Sequence, residues 1–220
     1  IGVIITDDQC DLFLTTADGM SIRFNASEVR PMGRAAVGVI GIKLTQEAGR
    51  RDDVVAMEAL KSGDGTYVMT VTERGYGKRT GELEHPQQGR AGQGVITIKT
   101  TERNGRVAGA IVVKPGDQAM VITDGGTLIR INADDVSEIG RNTQGVRILN
   151  VDEGEKVISV VRIDEPAGVK SGSQVDGSPI PESQEGVPVE AQNGKADHDT
   201  DVPSSPTMSD DDDDTDEGKE

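Results

Sequence analysis

Apolar and polar residues alternate in short runs along residues 1–165, and glycine-bearing turns separate the runs. A two-residue period of this kind marks strands with one face on a core. Opening strands are predicted at Asp11–Thr16, Thr66–Thr72 and Ala119–Thr123. Each is followed by a tight turn, at Ala17-Asp18-Gly19, Glu73-Arg74-Gly75 and Asp124-Gly125-Gly126. Glycine there supplies the positive φ that such hairpins demand. In the next strand Met20, Ile22 and Phe24 face one way, with Ser21 and Arg23 opposite. Ile129 and Ile131 oppose Leu128 and Arg130 in the same manner, whereas Tyr76-Gly77-Lys78-Arg79-Thr80 offers little to bury. Third strands are predicted at Val39–Leu44, Val95–Thr100 and Val146–Asn150, and fourth strands at Val54–Leu60, Val107–Val113 and Val157–Ile163. Residues 1–6 read as the fourth strand of a preceding unit. Helical periodicity is nearly absent; Asn25–Val29 and Ala133–Val136 each predict one short turn.

An Arg-x10-Arg-x3-Gly frame recurs on this pattern: Arg23, Arg34, Gly38; Arg79, Arg90, Gly94; Arg130, Arg141, Gly145. The second arginine always follows a glycine (Gly33, Gly89, Gly140), and successive copies are offset by 56 and 51 residues. Constant internal spacing with variable outer spacing describes repeated units joined by loops of variable length. Four strands per unit of about fifty residues predicts an all-β, propeller-like array of three antiparallel blades. The blades cover about 7–60, 61–113 and 114–165.

Composition divides the chain at the end of this pattern. Residues 1–165 carry 20 basic against 24 acidic side chains and contain every Phe and Tyr. Residues 166–220 carry 3 against 15, including the run Asp210–Asp214. That segment cannot bury enough apolar surface to offset its backbone entropy, which predicts a disordered acidic tail. The single cysteine, Cys10, cannot form an internal disulfide and reads as a reduced thiol in a cytoplasmic protein. No apolar run reaches membrane-spanning length, and no signal peptide is present. The chain starts without Met and reads as the C-terminal piece of a longer protein.

Catalytic chemistry is sparse. The histidines are His85, beside Pro86, and His198 in the tail; no metal-ligand spacing, Walker loop or nucleophile elbow occurs. Tyr76, set among basic residues, reads as a hairpin-surface tyrosine. The repeated basic positions are the candidates for function: the framed arginines, Lys78, and Lys43 and Lys99, which share one register five residues beyond the loop glycine. Arg30, Arg103, Arg106 and Arg147 add to them. On a ring, equivalent positions form a positive band that neutralises phosphates without reading bases. For Arg23, Arg79 and Arg130, pairing with acidic neighbours between blades stands equally with phosphate contact. For Arg34, Arg90 and Arg141, in glycine-flanked loops, phosphate contact is favoured. The loop glycines either let backbone N–H groups approach a phosphate or only permit a turn.

With these residues in view, residues 1–165 resemble the C-terminal domains of DNA gyrase A subunits. The resemblance rests on Arg74-Gly-Tyr-Gly-Lys-Arg-Thr80, Lys99-Thr-Thr-Glu-Arg-Asn-Gly105 and Ile139-Gly-Arg-Asn-Thr-Gln-Gly-Val146. It implies a β-pinwheel, whose blades exchange a strand with their neighbours and whose basic rim wraps double-stranded DNA. It also implies two kinds of partner in the intact enzyme, the gyrase B subunit together with a second gyrase A subunit. ATP and Mg²⁺ are then used by the whole assembly. No cofactor is expected in this chain, and a bacterial, nucleoid-associated location follows. The family's Gln-Arg-Arg-Gly-Gly-Lys-Gly box does not occur in this sequence. Its place in the loops is taken by Gly33-Arg-Ala-Ala-Val-Gly38, Gly89-Arg-Ala-Gly-Gln-Gly94 and Gly140-Arg-Asn-Thr-Gln-Gly145. The region with the DNA-cleaving tyrosine is also absent, so catalysis by this chain alone is not expected. The alternatives are the equivalent domain of the topoisomerase IV A-type subunit, or a propeller that binds proteins.

The tail tethers a charge of about −12 to a domain with basic loops, so it is expected to compete with DNA for them. Deleting 166–220 should tighten duplex binding at low salt in a titration; unchanged or weaker binding leaves the tail a solubilising segment.

Overall fold

The computed structural model describes residues 2–47 and 49–163; the acidic segment 166–220 and His198 lie outside the described residues. Its strands are β1 (Asp11–Thr16), β2 (Met20–Asn25), β3 (Gln46–Glu47), β4 (Arg50–Arg51), β5 (Val54–Leu60), β6 (Tyr67–Thr72), β7 (Tyr76–Gly81), β8 (Val95–Ile96), β9 (Val107–Val113), β10 (Gln118–Thr123), β11 (Leu128–Asn132), β12 (Val146–Arg147) and β13 (Val157–Ile163). Single 3-10 turns at Ala26–Glu28, Glu82–Glu84 and Ala133–Asp135 follow β2, β7 and β11. The protein is all-β, as the alternation predicts.

Each unit contributes an antiparallel hairpin and a long fourth strand that flanks it. The orders are β5-β1-β2, β9-β6-β7 and β13-β10-β11. In all three the ladder between opening and fourth strands slips once, at Thr15/Thr16, Val71/Thr72 and Ile122/Thr123. A bulge at one repeated place sharpens the twist equally in every unit.

The fourth position of a sheet is filled from the next unit. β8 pairs with β2 through Met20↔Ile96 and Ser21↔Val95, and β12 pairs with β7 through Val146↔Gly77 and Arg147↔Tyr76. The predicted third strands are therefore short ladders on a neighbour's edge. Beyond them the donated chain crosses the acceptor's hairpin turn: Thr97 and Ile98 both donate to the Gly19 carbonyl, and Ile148 and Leu149 to that of Gly75. Segment 39–44 makes no ladder among the described residues beyond an isolated bridge, Ile42 to Gly92. Residues 2–6 likewise form none.

Sheets pack face to face along the array. Phe13 and Leu60 of the first unit meet Val68, Ala110 and Val112 of the second. Met69, Val71, Ile111 and Val113 of the second meet Ala119, Val121, Val157 and Val160 of the third. Burying a side chain such as Phe13, 1% exposed, is worth roughly 2–3 kcal/mol. The same apolar residues that complete one unit's sandwich therefore weld it to the next. Unit 1 is longer than unit 2 in two places: its path from the loop glycine to the fourth strand holds the extra hairpin β3–β4, and the linker 61–66 is longer than 114–117. Both additions lie outside the frame, which keeps its internal spacing.

The frame's glycine is explained by this exchange. Gly94 and Gly145 both adopt φ of +75°, and each lies directly against the acceptor strand. A Cβ on Gly94 would stand 2.2 Å from the Ser21 carbonyl oxygen, and one on Gly145 2.7 Å from that of Gly77. Gly38, at φ +94°, meets nothing within 4 Å. Gly38→Ala is then expected to cost only the left-handed strain, about 1–2 kcal/mol. Gly94→Ala adds a backbone collision and should cost roughly 3 kcal/mol or more. Urea unfolding of the two variants compares them, and equal losses would separate the glycine from strand exchange.

Candidate nucleic-acid interface

The two arginines of the frame occupy different environments. Arg23 shares a sheet face with Phe13, its register partner on β1, and is 4% exposed. Its Nε donates to Asp11 Oδ2 at 2.7 Å, and its Nη1 donates to the Glu82 and His85 carbonyls at 3.0 and 3.4 Å. Arg79 repeats the arrangement one unit on: Nε donates to the Val136 carbonyl at 2.9 Å, Nη1 pairs with Asp134 Oδ1 at 2.6 Å, and the guanidinium lies 5.0 Å from the Tyr67 ring centroid. Each of these arginines thus grips the 3-10 turn of the following unit. Arg130, at the same register, is exposed and donates to Gln118 on its own hairpin. Removing one partner from a buried pair such as Arg23–Asp11 costs about 3–5 kcal/mol, because the other charge is stranded.

Two of the second arginines, Arg90 and Arg141, lie on the strand-exchange loops, and Arg34 lies on the equivalent loop of the first unit, which donates no ladder among the described residues. Arg90 donates from its backbone to Glu28 Oε2 at 3.0 Å and from Nη1 to the Ile40 carbonyl at 3.0 Å. Arg141 does the same with Glu84 Oε2, at 3.4 Å, and the Ile96 carbonyl, at 3.0 Å. Both remain partly exposed, and a guanidinium with five donors keeps others for solvent or a ligand. Arg34 is exposed. Lys43 and Lys99 are exposed as well, each on the segment that the next unit's arginine touches. Their backbone N–H groups bond to Gly92 and Thr143 in the following loop, so the shared register seen in the sequence is a shared position in space.

Lys78 is placed differently from those lysines. It is 1% exposed, and its ammonium donates to the Gly140 and Arg141 carbonyls and to Thr143 Oγ1. Burial pulls its pKa down to about 8, opposed by nearby Glu84 and reinforced by Arg141. Its contacts fix the loop that carries Arg141. Lys78 also explains why Tyr76–Gly81, the strand with little to bury, is nonetheless interior.

A further basic group centres on Tyr76, which is 5% exposed and not the surface residue its setting suggests. Arg103 Nε and Arg147 Nη2 donate to its phenol oxygen at 3.2 and 3.0 Å, and both guanidinium carbons stand 5.2 Å from its ring centroid. These donors hold the phenol below the usual tyrosine range, Arg147 having the larger effect. Arg147 reaches Tyr76 only through β12–β7 pairing between units, a contact that periodicity within one unit does not contain.

The fold and these loops define a class: tandem antiparallel sheets, the first two completed to four strands by the unit that follows and the third three-stranded among the described residues, with basic side chains where the exchange occurs. Residues 11–61, 66–114 and 117–164 match the family described as DNA gyrase C-terminal domain, beta-propeller, and the chain belongs to that family. It is 45% identical over 192 residues to the DNA gyrase A subunit of Salmonella typhimurium, covering 87% of this chain and 21% of that protein. It is 47% identical over 178 residues to the DNA gyrase A subunit of Klebsiella oxytoca, covering 81% of this chain and 20% of that one. The chain thus spans about a fifth of the length of these relatives. Among solved structures, the C-terminal domain of DNA topoisomerase IV superposes with a TM-score of 0.65 at 28% identity, covering 72% of this chain and 48% of that one. A DNA gyrase A C-terminal domain gives 0.64 at 27%, covering 73% and 52%.

His85 lies at the junction that Arg23 ties together. It is 2% exposed, with Nε2 3.0 Å from Thr97 Oγ1 and its ring edge-on to Phe13. Burial, helped by the charge of Arg141, lowers its pKa to about 4. An unfolded chain's histidine protonates near 6.5, so acid favours the unfolded state from there down to about pH 4. Stability therefore falls as pH drops through that window. Unfolding free energy should decrease by roughly 2 kcal/mol between about pH 7 and pH 5. His85→Leu should flatten that dependence in urea titrations at the two pH values.

Proposed function

We infer that this chain binds duplex DNA along its strand-exchange loops. In the parent protein that binding wraps DNA for ATP-dependent negative supercoiling. The observation that carries the reading is the repeat of Lys43 and Arg90, then Lys99 and Arg141, on equivalent loops of successive units. Equivalent elements on successive units present charge along a path, which suits a phosphate backbone and carries no base information. Family membership supports the same reading.

Within it the sequence-defined residues divide into two roles. Arg34, Arg90, Arg141, Lys43 and Lys99 meet phosphate, together with Arg130. Arg23, Arg79 and Lys78 act by fixing the turns and loops that carry the others, since their polar atoms are engaged inside the protein. The chain is non-catalytic by itself. Cleavage belongs to other parts of the gyrase A polypeptide, and ATP hydrolysis, with its Mg²⁺, to the gyrase B subunit. A second copy of gyrase A completes the assembly in the bacterial cytoplasm, on the nucleoid. Among the described residues no helix is long and apolar enough to cross a membrane. The topoisomerase IV alternative draws support from the nearly equal structural likeness, while the sequence relatives favour gyrase. Supercoiling of relaxed plasmid by the full-length enzyme separates the two.

Affinity of the whole chain for a mixed-sequence duplex is expected to fall steeply with salt, with a slope of about −0.9 per phosphate neutralised. Arg34→Gln, Lys43→Gln and Lys99→Gln should each lower that slope by about one without shifting thermal unfolding. A flat salt dependence would remove the phosphate reading and favour a protein partner.

A further inference from the structure

We propose that Tyr76, Arg103 and Arg147, with Arg74 and Lys156 on the same cleft, form a site for a single phosphate group of a nucleic-acid backbone. The proposal rests on the duplex-binding reading and deepens it. It places a discrete, built subsite between the second and third units, apart from the repeated loops.

The first argument is charge. Two guanidiniums converge on one neutral phenol oxygen, and neither makes an ion pair among the described residues. Three other arginines at unit junctions are neutralised: Arg23 by Asp11, Arg79 by Asp134, and Arg106 by Asp18 and Asp52. Like charges drawn to one uncharged acceptor repel, and an anion between them would relieve that repulsion. Planar N–H forks suit the oxygens of phosphate.

The second argument is construction. The group lines an open cleft of about 380 Å³ that also receives Arg74 and Lys156. Asp152 and Glu155 line it too, and Glu155 accepts from the Thr123 hydroxyl at 2.9 Å, so the cations outnumber the carboxylates. Arg103 sits on a loop clamped by Asn104, which has no exposed surface. The Asn104 amide donates to the Lys99 and Gln144 carbonyls, and its oxygen accepts from the Thr101 backbone at 2.8 Å. Arg147 is held by the β12–β7 ladder and reaches Asn150 Oδ1 at 3.4 Å.

The third argument is a comparison inside the molecule. At the equivalent exchange between the first and second units, the pair corresponding to Tyr76↔Arg147 is Met20↔Ile96. Strand exchange therefore proceeds with two apolar residues and does not require the aromatic–arginine cluster. The cluster's chemistry is surplus to the fold, and it occurs at one junction only among those described.

The chain has two tyrosines and no tryptophan, so ring-labelled tyrosine NMR reports the site directly, with Tyr67→Phe assigning the two signals. On titration with a mixed-sequence duplex, the Tyr76 ring signals should shift saturably and those of Tyr67 should not. Arg103→Gln with Arg147→Gln should weaken duplex binding about tenfold at low salt and lower the salt slope by about two. Lys61→Gln, which removes a charge outside the lining of the cleft, should change neither by more than a small fraction. If the double variant does not fold, Arg103→Gln alone, in an exposed loop, should still weaken binding about threefold. A chain that binds duplex with unchanged affinity and slope in these variants, and with Tyr76 unmoved, overturns the site and leaves the duplex reading standing. If the wild-type chain does not bind duplex, the duplex reading fails. Inorganic phosphate then decides the site: a saturable Tyr76 shift keeps it as an anion site, and no shift removes it.

Discussion

The pairing of β8 with β2 and of β12 with β7 is the interaction on which the rest of the molecule depends. A three-stranded sheet leaves one row of backbone N–H and C=O groups unpaired, and burying or exposing such an edge carries a cost. Here the edge is covered by a piece of the next unit only two residues long. The short ladder is supplemented by what crosses with it: the double donation to the hairpin-turn carbonyl, the framed arginines, and apolar packing between sheet faces. Neither of the first two units completes its own sheet. Each is finished by its successor, and stability is shared across junctions in the manner of nearest-neighbour repeats.

That dependence decides what can be read from the chain. The opening and fourth strands are legible because their pairing is local and their alternation is strong; Val54–Leu60, Val107–Val113 and Val157–Ile163 are strands with those bounds. The third strands are legible as apolar segments, but their length and partner are not. Alternation in Val39–Leu44 says that it can pair, not whether a neighbour's edge is present to receive it. The strand Tyr76–Gly81 looks poor in sequence because its burial comes from Lys78 and Thr80, whose partners lie in the following unit, and from Tyr76, which is held from both its own unit and the next. Among the basic residues, parity correctly puts Arg23 on the face opposite Ile22 and Phe24. The identity of what it grips, a turn 59 to 62 residues away, depends on unit stacking. Tyr76 resembles a surface residue in sequence for a similar reason, its two guanidinium partners, Arg103 and Arg147, lying 27 and 71 residues on.

Charge in this fold is sorted by depth. Arginines and one lysine inside the junctions spend their hydrogen bonds on carbonyls and carboxylates, which fixes geometry. Those on the exchange loops keep donors outward. The two sets are coupled, since Lys78 holds the loop of Arg141, and Glu28 and Glu84 cap the backbone of Arg90 and Arg141. The spacing of the outward charges is therefore fixed by sheet packing, whereas length differences between units collect in the β3–β4 hairpin and the linkers, where they disturb nothing.

Strand donation by the following unit also sets an order in time. During synthesis the hairpin β1–β2 and its flanking strand β5 are all available once Leu60 has emerged, yet their outer edge stays open until Val95 and Ile96 follow. The second sheet waits in the same way for Val146 and Arg147. A nascent chain is thus always one unit behind itself, with the most recently made sheet exposing a row of unsatisfied groups to chaperones or to neighbouring chains on the same message.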